Sequence, residues 1–155
     1  MATMTHIKII RTNASHPAFR QMVSLLDKEL AITDGDEHDY YHQYNQIDDI
    51  RYAIVAALEN EPVGIGAIKP LSEGVMEVKR MFVLEQHRGF GVAANLLQAL
   101  EAWALELGTG TLVLETGKRQ PAAIALYEKC GYTRIPNYGQ YAQMDNSVCF
   151  NKVLS

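Results

Sequence analysis

The sequence predicts a mixed α/β fold, and three observations carry that prediction. Three short β-rich runs between Tyr52 and Val83 are joined by tight turns, so they pair antiparallel, since parallel neighbours need a long crossover. From Glu77 onward the pattern changes to strand, helix, strand, which reads as a right-handed βαβ unit. Apolar stripes at helical spacing occur both before and after the meander, which supplies helices to cover a sheet.

The elements follow in order. Ile7 to Ile10 is a β-rich run broken by Thr12-Asn13-Ala14-Ser15. Ser15 is a candidate cap for the next helix, and Pro17 is tolerated in a first turn whose amides lack intrahelical partners. Phe19, Met22, Val23, Leu26 and Leu30 recur at helical spacing and give that helix one apolar face. From Asp34 to Asp49 the periodicity collapses into DGDEHDYYHQYNQIDD, a loop or short irregular helix. Tyr52 to Leu58, Val63 to Ile68 and Val75 to Val83 are the meander strands, with turns at Glu59-Asn60-Glu61-Pro62 and Leu71-Ser72-Glu73-Gly74. In Gly91 to Leu107 the residues Val92, Ala93, Leu96, Leu97, Leu100, Trp103, Ala104 and Leu107 form a helical stripe closed by Gly108. Thr111 to Thr116 is a strand, and AAIALYEKCG a short helix. Tyr132 to Ile135 and Val148 to Val153 are the last strands, the latter an edge through which two copies would pair as a homodimer.

Composition narrows the function. A chain of 155 residues suits one domain spanning 1–155 that buries roughly 70% of its unfolded surface. With 48% hydrophobic and 21% charged residues it reads as a globular protein, and a net charge of -4 argues against nucleic-acid binding through a basic face. Cys130 and Cys149 show no metal or CxxC spacing and read as buried thiols. His38 and His42 lie one helical turn apart but lack a third ligand, so no metal is expected. No apolar run reaches the roughly 20 residues of a membrane span, and the start lacks a signal-peptide pattern. The expected compartment is the cytoplasm.

The chemistry concentrates between Glu77 and Tyr132. In Arg88-Gly89-Phe90-Gly91-Val92-Ala93 two glycines and an alanine leave the backbone bare at a helix start, where free amides and the positive helix end favour a diphosphate. A plain tight turn is the simpler alternative. A sharper rival is the dinucleotide fingerprint, since Gly89-Phe90-Gly91-Val92-Ala93-Ala94 matches G-x-G-x-x-G/A and Glu115 ends the next strand. Context opposes it: Leu84 to Arg88 separates strand from glycine, and too little chain follows Glu115 for the further βα units that fold needs.

These motifs resemble those of the GNAT family of N-acetyltransferases. Its Q/R-x-x-G-x-G/A pattern is met by Arg88, Gly91 and Ala93. EVKRMFV is similar to its central strand, and AAIALYEKCGY to its A-x-x-L-Y-x-x-x-G-F/Y segment. The resemblance implies a GNAT-like fold, with an antiparallel N-terminal meander in a central mixed sheet, a βαβ acyl-CoA unit and helices on both faces. It further implies that acetyl-CoA is the acyl donor. Its pyrophosphate would lie on the amides of Arg88, Gly89, Phe90, Gly91, Val92, Ala93 and Ala94, and its pantetheine along Met81, Phe82 and Val83. A splay between the strands Val75 to Val83 and Thr111 to Thr116 would admit the thioester.

Tyr127 resembles the family's general acid, which protonates the departing thiolate; a phenol near pKa 10 can serve a thiolate near 8.5 at modest cost. Its alternative is a helix residue with its ring in the core. Many members carry an Asn before this helix, whereas this chain has Gln120-Pro121, so Gln120 is the candidate for that pantetheine contact. Glu77 resembles a strand carboxylate that deprotonates the amine, directly or through water, and shares a face with Lys79, Met81 and Val83 if the strand alternates with period two. A solvated or ion-paired sheet residue is the alternative for Glu77, and Glu115 is the alternative base. Lys118 and Arg119 are placed to reach a CoA phosphate or simply to face water.

Between Lys28 and Arg51 there are seven acids and no Lys or Arg, interleaved with Tyr40, Tyr41 and Tyr44. Such a wall would attract a cationic amine, although acidic loops are commonly only solvated. The resulting expectation is an acetyl-CoA-dependent N-acetyltransferase acting on a primary amine of a small molecule. The alternatives are a silent acyl-CoA-binding or sensing module and an enzyme acetylating protein lysines or N-termini.

Overall fold

A computed structural model describes residues 7–35 and 50–154. Seven strands form one mixed sheet: β1 (Ile7–Thr12), β2 (Tyr52–Leu58), β3 (Glu61–Ser72), β4 (Val75–Val83), β5 (Thr111–Gly117), β6 (Thr133–Ile135) and β7 (Ser147–Val153). Their order across the sheet is β1-β2-β3-β4-β5-β7-β6. The helices are α1 (Pro17–Asp34), α2 (Val92–Glu106) and α3 (Pro121–Lys129). No helix among the described residues is long and apolar enough to cross a membrane.

The meander forms as its turn chemistry dictates. Glu59 and Asn60 both take positive φ, 51° and 68°, the two-residue hairpin geometry whose twist matches the strands. Glu61 and Pro62 therefore belong to β3 rather than to the turn. Only β4 and β5 run parallel, and α2 supplies the long connection that parallel neighbours require.

Alternation along the strands divides the core. Ile54, Ala56, Ile68, Met76 and Val78 pack with Leu96, Leu97 and Leu100 of α2 and Tyr127 of α3. Ala53, Val55, Ile65, Ala67 and Phe82 pack with Phe19, Met22 and Val23 of α1. Helices thus cover both faces. The close seat of α2 depends on two bare positions in β3. A Cβ on Gly64 would come within 3.0 Å of Leu96 Cδ1, and one on Gly66 within 2.8 Å of Met81 Sδ.

Three expectations change. The cap of α1 is His16, whose Nδ1 accepts from the Ala18 amide at 3.1 Å; Ser15 instead donates its N–H and hydroxyl to Asn13 Oδ1. The C-terminal strand is not a free edge, because β6 covers Cys149, Phe150 and Asn151 of β7. Pairing of two copies along that stretch is therefore blocked.

The third change concerns β4. Between Ile65 and Ala67 of β3 the register slips, and Arg80 adopts φ 60°. Such a bulge places two residues, Arg80 and Met81, opposite one, Gly66, and shifts the alternation by one position. Met76 and Val78 face α2 before it, and Met81 and Val83 face α2 after it, while Phe82 faces α1. Glu77 and Lys79 consequently do not share a face with Met81 and Val83.

Candidate active site

β4 and β5 pair only at Val75–Thr111, Met76–Leu112 and Glu77–Val113. Beyond these β5 continues against β7 through Gly117, and β4 continues against β3 through Val83. The strands part, leaving the β5-facing edge of Met81, Phe82 and Val83 without a ladder partner among the described residues. A cleft of about 120 Å³ occupies the splay, lined by Glu77, Lys79, Glu115, Gln120, Tyr127 and Tyr141 among others. Residues far apart in sequence converge here.

Glu77 is 5% exposed. Its Oε2 accepts a 2.6 Å hydrogen bond from Tyr138 Oη, and its Oε1 lies 3.9 Å from Lys79 Nζ. Lys79, 8% exposed, also donates to Tyr141 Oη at 3.4 Å. Burial lowers the Lys79 pKa against the opposing pull of Glu77 and Glu115. Arg80 also lines the cleft and pairs with Asp27 of α1 at 2.7 Å, its side chain only 2% exposed. That pair anchors the bulge to α1.

Tyr127 projects from α3 into the core and the cleft, with Tyr132 and Phe150 ring centroids each 6.0 Å away. The core and acid alternatives therefore describe one position rather than two. Burial, then the charge of Glu115, then Cys130, raise its pKa well above the usual phenol range, so the ring stays protonated at neutral pH. The modest proton-transfer cost inferred from free phenol and thiol values does not apply directly. A thiolate held in the same dry surroundings is destabilised too, and the difference between the two sets the cost. Burial likewise pushes the Cys149 thiol up to about 11.

The turn before α2 is built as an open cradle. Gly91 caps the helix with φ 89° and makes no side-chain cap bond; Gly89 has φ 85°. A Cβ at either would touch nothing within 4 Å, so these glycines serve backbone conformation and not packing. Val92, Ala93 and Ala94 begin the helix, and amides at that position have no intrahelical acceptor. The first turn carries no acidic residue. Phe90 is exposed. The Arg88 side chain folds back, its Nε donating to the Val83 carbonyl at 2.8 Å and its Nη2 pairing with Glu29 at 2.8 Å. Arg88 thus contributes its backbone to the cradle while its guanidinium braces the turn against α1. Bare amides at one end and an unpaired strand edge leading into a cleft fit a phosphorylated thioester of CoA's shape.

At the far side Gln120 precedes α3, caps nothing through its side chain and lines the cleft. Arg119 donates to the Thr33 carbonyl at 3.1 Å, and the Lys118 amide donates to the Asn146 carbonyl at 2.7 Å. The acidic tyrosine-rich segment, with His38, His42, Tyr40, Tyr41 and Tyr44, falls in residues 36–49, outside the described residues. Sequence reading missed Tyr138 and Tyr141, which the sequence offers only as part of a Pro/Gly-containing loop.

The model of the acetyltransferase (GNAT) family matches residues 19–132. An IAA acetyltransferase from Azospirillum brasilense is 34% identical over 154 residues, covering 97% of this chain and all of that one. A Klebsiella pneumoniae structure assigned to the acyl-CoA N-acyltransferases superposes with a TM-score of 0.80 at 30% identity, covering 96% of this chain and 98% of that one. A Bacillus anthracis structure assigned as a streptothricin acetyltransferase, solved with acetyl coenzyme A, shares the fold with a TM-score of 0.61 at 20% identity, over 73% of this chain and 68% of that one. A splayed parallel pair, a bare helix-entry turn and this family match over most of the chain agree, and the protein belongs to the GNAT family of acetyltransferases.

Proposed function

We propose that the protein transfers the acetyl group of acetyl-CoA to a primary amine of a small molecule by direct attack in a ternary complex. The observation that carries this reading is the cleft between the parted strands, which holds a buried carboxylate, Glu77, and a protonated phenol, Tyr127, around one small volume. The amine nitrogen attacks the thioester carbonyl carbon, the tetrahedral intermediate collapses, the C–S bond breaks, and CoA leaves. Glu77 takes the amine's proton, directly or through water, because a protonated amine has no lone pair. Tyr127 gives its proton to the sulfur.

Amides from Arg88 to Ala94 hold the pyrophosphate. The open edge at Met81, Phe82 and Val83 and the Gln120 carboxamide hold the pantetheine. A small acceptor is supported by the relatives' names, an IAA acetyltransferase and, at 32% identity over 78 residues, a streptothricin acetyltransferase from Escherichia coli. The silent-sensor alternative is disfavoured because a module that only binds the thioester has no use for both groups in the cleft.

Two expected results test the reading. Acetyl-CoA at about 100 times its Kd should stabilise the fold by about 2.7 kcal/mol, read as a melting shift of roughly 5–10 °C for a chain of this size. No shift would remove the donor assignment. Glu77→Gln should lower kcat/KM by at least about tenfold and flatten the rise of activity with pH, measured by free CoA release over a panel of amino acids, polyamines and aminoglycosides. An unaltered profile would pass the role to Glu115.

A further inference from the structure

We propose that Tyr138, on the loop between β6 and β7, is a positioning residue for proton removal, its hydroxyl fixing the Glu77 carboxylate so that Oε1 faces the acceptor; this rests on the reading of Glu77 as base. The Oη to Oε2 distance is 2.6 Å, in the short range of a hydroxyl donating to a carboxylate. A lone glutamate on a strand can turn about its terminal torsion, and one strong bond to Oε2 removes that freedom.

Other charged groups surround Glu77. Lys69 lies across from it on β3, Lys79 shares its ammonium with Tyr141, Arg80 pairs with Asp27, and Glu115 on β5 lines the same cleft. The phenol itself is braced. Its ring meets Tyr141 edge-on, with centroids 5.7 Å apart at 90°, and Asn137 Nδ2 ties the loop to the Met144 carbonyl at 3.0 Å. Tyr141 is buried. Carboxylate orientation is therefore set by the loop 61 residues away in the chain, not by β4 alone.

No proton leaves Tyr138 in the cycle. When Oε1 takes the proton from the amine, Oε2 becomes the carbonyl oxygen of the acid and keeps accepting from the phenol. Burial and the Glu77 charge both raise the Tyr138 pKa far above the usual range, which keeps that donor protonated.

Tyr138→Phe keeps the ring and removes only the donor. Wild type, Tyr138→Phe, Glu77→Gln and the double variant are compared with the amine the panel finds best. The Tyr138→Phe variant should lose about tenfold in kcat/KM, and its pH-rate profile should differ from that of wild type. The KM for acetyl-CoA should stay. The double variant should be no slower than Glu77→Gln.

An unmoved pH-rate profile, or a double variant losing the product of the single effects, overturns the inference. If Glu77→Gln leaves the pH profile intact, the base assignment falls and this inference with it. An altered Glu77→Gln profile beside an unmoved Tyr138→Phe profile overturns the positioning role alone.

Discussion

Replacing Tyr127 by Phe is expected to lower kcat by about 10² to 10³, the scale of a lost general acid, while the melting shift given by acetyl-CoA stays within error. The separation of the two readouts follows from position. Tyr127 sits at the inner end of the cleft on α3, whereas the proposed pyrophosphate cradle lies on the turn before α2, so binding energy and proton delivery come from different elements. Phe preserves the ring contacts with Tyr132 and Phe150, and stability should change little. The loss should be smaller for thioesters with better leaving groups, which need less protonation. An unchanged kcat would remove the acid role and leave the ring as core.

Phe150→Ala should carry the largest stability cost. Phe150 is wholly buried on β7 between β5 and β6, opposite Leu114 and Arg134. Truncating such a ring typically costs about 3–5 kcal/mol because the space cannot refill, a large share of the roughly 5–15 kcal/mol that holds a domain together. The melting point should fall by about 10 °C or more. Phe150→Leu should recover most of it. Since Tyr127 rests against this ring, the alanine variant should also lose turnover below its melting transition. A loss under about 1 kcal/mol in urea unfolding would show that the β7 side of the core closes the cavity.

The sequence made the meander and the βαβ unit legible because each is encoded locally. Glu59-Asn60 and Glu73-Gly74 close turns by their own backbone preferences, and the stripe from Val92 to Ala104 has one period throughout. Gly89 and Gly91 were readable for the same reason. What escaped was non-local. That β7 lies inside the sheet depends on three residues of β6 docking outside it, and nothing in Val148 to Val153 signals that neighbour. Tyr138 and Tyr141 looked like loop residues, since their worth lies in reaching Glu77 and Lys79 across the fold. The slip at Arg80 did leave a trace. Met76, Val78, Met81 and Val83 step by two, three and two, and the Lys79-Arg80 pair fills the long step.

That single long step makes β4 behave like a strip of tape with one tuck taken in it. Its first half shows carboxylate and ammonium to the reaction space and methyl groups to α2; its second half shows Phe82 to α1 and leaves its backbone edge for a ligand. Ironing the bulge out at full length would swing Met81 and Val83 to the α1 side and take Phe82 out of the α1 layer; deleting Arg80 would instead leave each on its present side, in plain alternation, and remove only the bulge and its tie to Asp27. The extra residue, and not the side chains around it, is therefore what lets one strand keep an apolar side toward α2 along its whole length.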